Sequence, residues 1–426
     1  MFNKAFRLFL YITIIATGNV NAQNITKSPY SIVGAGDLVF GGNASNLSMG
    51  RVTQGIRNPY EVNWLNPASY SSILQTNIET GIIFSRSGFK SLGNSTSSNN
   101  AWLSYINLAM PLSTKRGIGF SFGIAPFTSV GYDVSSNITL VSDTNSIFAN
   151  NKFLGNGGLS KTYIGAGFRL TKNLSFGING AFVFGQVNQR VQLVIPPAYR
   201  LFNVEERAET YMTGFMYDLG LQYHKNFNKD YILTIGATVT PQTIFNGSRS
   251  YVVRTMPIGI TTGTKDTVIN LTDMKGNVSM PMFWNAGFSL AKENKWLVAA
   301  DINGARWSNY SAFNRTDSLQ NSFGLSLGGS YIPKYAAPKN IFNRLEYRAG
   351  ISYNKTNWQF FGQSINALSL SCGVGIPLAK SKSKVSVGFE YVNRGTTSNN
   401  LVQENFYRFI LGVSFSDKWF YRYRYD

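Results

Sequence analysis

Side chains that could do covalent or redox chemistry are scarce in this chain. There is one His, His224, and one Cys, Cys372. A Ser-His hydrolase needs its imidazole beside a nucleophile and a third group to orient it; His224 instead stands next to Lys225 in a stretch that reads as a turn. Cys372 falls in phase with Leu370, Val374 and Ile376, where it acts as a small hydrophobe. No Asp-x-Asp-x-Asp run or His/Cys pair offers metal ligands. Gly165-Ala166-Gly167 and Gly373-Val374-Gly375 lie in strand-like runs without a following helix or phosphate-binding Lys, so they read as small lumen-facing residues. Neither an enzyme nor a cofactor is expected.

Charge placement is more telling. Arg169, Asp218, Asp301, Glu346, Arg348, Glu390 and Arg408 interrupt segments whose alternate residues are large and apolar. A lipid-facing Arg or Lys at mid-bilayer costs roughly 2–4 kcal/mol, so these seven should point inward. Asp37, Arg51, Arg57 and Glu61, nearer the N-terminus, are available as partners. Pairing across a lumen and pairing between neighbouring strands would both satisfy them. The net charge of +19 raises the question of nucleic acid, but the Lys residues fall in Asn- and Ser-rich turns with no basic helix, zinc pattern or RNP-like motif, so no nucleic-acid partner is expected.

The elements that must position these charges follow from period-two patterning. In 174–185, Leu174, Phe176, Ile178, Phe182 and Phe184 share one face, and Ser175, Gly177, Asn179, Ala181 and Gly185 the other. Comparable segments cover 76–84, 101–112, 117–127, 162–170, 211–223, 231–245, 282–290, 296–307, 322–331, 345–353, 367–376, 384–392 and 406–415. That makes about fourteen strands, an even number as a single-chain bacterial barrel requires. Seven Trp, 23 Tyr and 31 Phe suit aromatic girdles. Short turns alternate with long polar connections, the longest over 128–161, 187–210 and 246–281. The expected fold is all-β, a transmembrane antiparallel β-barrel over 76–415 with both termini on the periplasmic side.

The ends read differently. Lys4 and Arg7, an apolar stretch from Leu8 to Thr17 and Val20-Asn21-Ala22 mark residues 1–22 as a secretory signal peptide. Residues 23–75 are rich in Gly, Ser and Asn, are broken by Pro29, Pro59 and Pro67, and keep no sustained period, so they cannot build a core of their own. The barrel lumen is the natural place for such a hatch. A tail over 416–426 alternates aromatic and basic residues and leaves open whether the last strand ends at 415.

Two further features could bear on function. The long connections carry apolar residues, among them Phe153, Leu154, Ile195, Val252, Met256, Trp358 and Phe360. They could concentrate an apolar solute, pack on one another, or dock a partner protein. Pro126 sits inside a strand, where its missing N–H removes a ladder bond. It marks either a wall defect or the end of its strand.

The run Ser28-Pro29-Tyr30 to Gly34-Ala35-Gly36, then Met49-Gly50, then Val62-Asn63-Trp64-Leu65-Asn66-Pro67-Ala68 resembles the N-terminal hatch of the FadL/TodX outer-membrane transport family. Asn66, Pro67 and Ala68 form the most recognisable piece. The resemblance implies a monomeric, lipid-embedded barrel of the bacterial outer membrane that takes up hydrophobic or amphipathic small molecules, such as long-chain fatty acids, past its hatch. It also implies that an inward kink in a strand opens a lateral exit, which makes Pro126 the candidate gate. Related barrels of the PorV type act in protein export as docking or shuttle components. A large outer-membrane protein partner, with no solute passing, is therefore the alternative.

Overall fold

The computed structural model describes residues 25–419 except 92, 143–144, 228–229, 259–265, 336–339 and 379–380. The expected signal peptide and the tail from residue 420 lie outside the described residues.

The strands in chain order are β1 (Asp37–Leu38), β2 (Thr76–Ser91), β3 (Asn94–Ser113), β4 (Ile118–Ser142), β5 (Asn145–Arg169), β6 (Leu174–Val194), β7 (Asn203–Phe227), β8 (Tyr231–Thr240), β9 (Thr243–Met256), β10 (Asp266–Met280), β11 (Phe283–Lys292), β12 (Trp296–Ala305), β13 (Ser311–Ala312), β14 (Ser322–Tyr331), β15 (Glu346–Phe360), β16 (Gln363–Pro377), β17 (Lys384–Gly395) and β18 (Gln403–Asp417). Fourteen staves form the wall. Pro241 divides one into β8 and β9 and Pro281 another into β10 and β11, because a prolyl nitrogen cannot donate to the ladder. β1 belongs to the N-terminal segment and β13 to a rim loop. Every stave pairing is antiparallel, and β18 closes the wall on β2 from Gln403↔Lys90 to Asp417↔Thr76.

The pleat sorts residues as a barrel in lipid requires. On β6, Ile178, Phe182 and Phe184 are exposed on the outer face, while Ser175, Asn179 and Ala181 are buried inside. Cys372 is likewise exposed on β16. His224 lies near the end of β7, where its N–H donates to the Asn173 carbonyl at 2.8 Å, so the strand runs further than the expected turn.

The three longest expected loops are largely strand. β4 and β5 are 25 residues each and pair continuously from Thr128↔Leu159 to Ser142↔Asn145. β6 and β7 do the same from Val187↔Thr210 to Leu193↔Val204, and β9 pairs with β10 from Thr243↔Met280 to Thr255↔Asp266 across two bulges. About 9–11 residues cross a bilayer, so roughly half of each long strand rises above the lipid band at the rim opposite the termini. There neither face meets lipid, and the apolar alternation that marks a strand in sequence is lost.

Inside, hatch and wall share one core. Tyr30, Trp64 and Tyr70 of the N-terminal segment pack in one buried cluster with Tyr105, Tyr163, Trp307 and Trp358 of the wall and rim.

Candidate functional site

The hatch is seated first by close backbone approach. Asn66 is fully buried and caps the short 3-10 helix Pro67–Ser72: its Oδ1 accepts the Ala68 N–H at 3.2 Å, and its Nδ2 donates to the carbonyls of Gln54 at 3.2 Å and Leu221 at 3.3 Å. Pro67 suits this first helical position because its missing N–H has no helical partner to lose. Around this turn the wall presents a row of glycines, Gly167, Gly177 and Gly220, paired strand to strand. A Cβ at Gly177 would stand 2.2 Å from the Pro67 carbonyl carbon, and one at Gly220 2.5 Å from Asn66 Oδ1, so only Gly lets the Asn-Pro-Ala turn press against the sheet.

The opposite side of the hatch is held by charge, and β17 is the spine of that contact. Lys384, Glu390 and Arg394 project from its inner face, each into a separate cluster that includes one charged hatch residue. Glu390 accepts from Arg51 at 2.7 Å and from Arg408 at 2.9 Å. Arg394 donates to Asp37 at 2.9 Å and to Glu404 at 2.6 Å, and the Ser28 hydroxyl caps Glu404 at 2.6 Å. Lys384 pairs with Glu61 and, at 2.6 Å, with Glu346, which also takes Arg348 at 2.8 Å. Burial alone would raise the Glu61 carboxyl, but Lys384 and Arg348 hold it below its usual value.

Of the seven inward charges expected from sequence, Glu346, Arg348, Glu390 and Arg408 meet in these clusters. Asp301 seats the hatch differently, with Oδ2 accepting the backbone N–H groups of Thr53 and Gln54, the latter at 2.9 Å. Asp218 lies 3.8 Å from Lys161, another wall residue, and accepts from the Thr240 hydroxyl at 2.6 Å. Arg169 has the inner-face parity of Tyr163, Gly165 and Gly167, but it stands at the end of β5, where its side chain is exposed and forms no ion pair among the described residues. Arg57 binds Gln222 at 3.1 Å and Ser71 at 3.0 Å instead of a carboxylate. Lys384, Arg394 and Glu404 were missed as inward charges. The last two fall in a stretch that reads as loop, although they share the parity of Glu390 and Arg408.

Pro126 lies at a break in the wall. β4 pairs with β3 only from Ser113↔Ile118 to Ile106↔Ile124. Above that level the two staves part. The β4–β5 register shifts between Pro126 and Thr128, leaving Phe127 as a bulged residue. From Ala125 to Tyr132 every residue but Pro126 is buried, where a wall strand would alternate, so this part of β4 has moved inside. There it pairs with the hatch: Asp37↔Ser129 and Leu38↔Thr128, with the Val39 N–H donating to the Phe127 carbonyl at 3.0 Å.

Gly157 and Gly158 on β5 make room for the displacement. Their φ values are 115° and 146°, and a Cβ at Gly158 would stand 2.3 Å from the Thr128 carbonyl oxygen. Sequence reasoning missed this pair, although two adjacent Gly inside a strand are a bulge signal. β3 keeps its pairing with β2 from Asn94 to Ala109, with a bulge at Ser104, so the other lip stays in the wall. Lining the seam from inside, Asn100 Nδ2, Trp102 Nε1, Ser104 Oγ and Ser129 Oγ are buried without a hydrogen-bond partner among the described residues.

The expected apolar rim surface is corrected in part. Ile195, Met256 and Trp358 are buried, and Phe153, Leu154, Val252 and Phe360 are half-buried. Trp358 and Phe360 stack on hatch Tyr30 at ring distances of 5.9 and 5.6 Å, and the Arg394 guanidinium lies over Trp358. These rings cover the seated hatch, so they are unavailable as an open capture surface. Phe361, beside them, is 84% exposed. Among the described residues no group of three or more His, Cys, Asp or Glu side chains could hold a metal ion.

These features define a class: a 14-stave antiparallel barrel of the FadL outer-membrane type, closed at the β18–β2 joint, with its own N-terminal segment packed against the inner wall. The family described as BamG matches residues 1–426, and the chain belongs to it. Solved structures similar to it include a Pseudomonas aeruginosa FadL homologue (12% identity, 90% of this chain and 99% of that one, TM-score 0.59). The Ralstonia pickettii toluene transporter TbuX (15%, 88% and 99%, TM-score 0.58) and the Pseudomonas putida toluene transporter TodX (16%, 90% and 99%, TM-score 0.54) are also similar. At these identities the likeness establishes the fold. No curated protein sequence matches the chain significantly.

Proposed function

We propose that this protein is an outer-membrane barrel through which a hydrophobic or amphipathic small molecule, of the long-chain fatty acid or monoaromatic kind, enters at the rim and leaves sideways into the membrane. The observation carrying this reading is the parting of β3 and β4 above Ile106↔Ile124, beside a hatch that fills the lumen below. With the way down obstructed, the seam is the shorter route. The two toluene transporters among the similar structures support the solute class. In this reading both termini face the periplasm, the tall rim faces outward and Pro126 with its bulge is the gate.

A second reading is favoured by the same seam and by the three ionic clusters that rivet the hatch to β17. A plug so held, beside a bare strand edge, suits a barrel that passes nothing and serves as a subunit or docking partner of an outer-membrane protein export or assembly machine. Purification from native membrane in mild detergent, with mass spectrometry of bound lipids and proteins, separates the two. A stoichiometric apolar ligand without a protein partner is expected for the transporter. A stoichiometric large protein with no ligand overturns it in favour of the machine subunit. In the transporter reading Pro126→Val, which restores the ladder donor, lowers solute uptake; unchanged uptake removes Pro126 as the gate.

A further inference from the structure

The two lips of the seam are not equivalent. The β4 lip is capped, because hatch strand β1 adds to it in antiparallel register. The β3 lip is bare: from Asn94 to Tyr105 its edge toward β4 has no strand partner among the described residues. Part of that edge lies in lipid. Leu103 and Ala101 pair with Ile82 and Phe84, and Phe84 and Leu103 are exposed large hydrophobics of the outer face. Asn99 pairs with Arg86, which is exposed and marks the upper limit of the apolar band. Backbone N–H and C=O groups facing hydrocarbon cost several kcal/mol each when unpaired, and open sheet edges are avoided there. The nearest protein backbone, β4, has been drawn inside and tied to the hatch, so no described residue of the chain satisfies this edge.

An acyl chain or an aromatic solute can lie against such an edge but offers no alternating donors and acceptors. Another polypeptide strand does, and strand addition is the mode by which extended segments bind bare edges. Side chains beside the edge specify the rest. Leu103 presents an apolar surface to the lipid side, whereas Asn100, Trp102 and Ser104 carry buried polar atoms without partners on the lumen side. We propose that the β3 edge from Asn94 to Tyr105 is a docking site for a strand of another outer-membrane β-barrel protein, one alternating apolar residues toward lipid with polar residues toward the lumen. The inference rests on the second functional reading above and names its contact site: the partner occupies the place in the wall that β4 has vacated.

The test uses the full chain in native membranes, with a photo-reactive benzoylphenylalanine placed singly at Asn99, Ala101 or Leu103. Leu325 on β14, exposed to lipid and flanked by paired strands on both sides, serves as the control. After irradiation, adducts are mapped by mass spectrometry. Strand addition gives adducts to one protein, at partner positions that move two residues in one direction for each two-residue step along β3, and none at Leu325. Adducts only to lipid, adducts only to residues 125–132 of this chain, or partner positions without that step overturn it. If a large protein co-purifies stoichiometrically and the step is missing, the docking reading stands and strand addition falls. If no protein co-purifies and only lipid adducts form, both fall.

Discussion

Glu390 has no exposed side-chain surface and answers two guanidiniums, Arg51 from the hatch and Arg408 from β18. Removing one member of a buried ionic set leaves a charge without compensation, at a cost of about 3–5 kcal/mol. Glu390→Gln should therefore loosen the hatch by an amount in that range, measured as faster hydrogen exchange at Gly50 to Val52 with the wall unchanged. Arg169→Ala, at an exposed strand end, should move the same readout by less than about 0.5 kcal/mol. pH dependence follows from Glu61, whose carboxyl is held below its usual value. A group depressed in the folded state contributes stability that is present above its unfolded pKa, about 4.3, and is lost as pH falls through the lower folded value. Protease protection of the hatch should persist at pH 5 and fail only well below 4. Loss of protection between pH 7 and 5 would place its control elsewhere.

At the scale of elements, the seam is built by four residues that the lipid-facing pattern does not reveal. Pro126 and the bulged Phe127 turn β4 inward, and Gly157 and Gly158 let β5 follow it. A side chain at Gly158 meets the Thr128 carbonyl oxygen and has to hold an unfavourable φ, a strain of about 1–3 kcal/mol. Gly158→Ala should push this part of β4 away from the hatch, so the Val39 amide, which donates to Phe127, loses hydrogen-exchange protection while Gly50 keeps it. Equal protection at both would mean the kink does not depend on Gly158. The strand run that reaches Pro126 was legible in the sequence because Phe120, Phe122 and Ile124 alternate against Gly119, Ser121 and Gly123. Its continuation was not. Beyond Pro126 the strand is buried on both faces and then solvated on both, and neither state leaves a period of two.

For the whole molecule, the stave count was legible for the same reason that the extent of the seam was hidden, although Pro126 marked a point on it. Lipid imposes a contrast between faces that the sequence must display, whereas which edges go unpaired depends on backbone displacement that no single strand records. The inward charges lie between these cases. Parity placed Glu346, Arg348, Glu390 and Arg408, but a stretch that looked like loop concealed Arg394 and Glu404. The clusters they form bear on how barrel and hatch depend on each other. Without the hatch, Arg394 still faces Glu404, Arg408 still faces Glu390, and Lys384 and Arg348 share Glu346, so two of the three wall sets stay neutral and the third carries one positive charge. The wall should therefore survive loss of the plug, although the glycine row and the aromatic core would lose their contacts. Deleting residues 28–72 should give a barrel that still inserts and whose lumen is open, seen in a planar bilayer as discrete steps absent from the intact chain. A silent record from properly inserted protein would mean that the rim loops, and not the N-terminal segment, close the barrel. The Glu390→Gln chain distinguishes loosening from removal: one cluster is lost while the Asn66–Pro67 turn and the Arg394 cluster remain, so brief flickers are expected in place of steady steps.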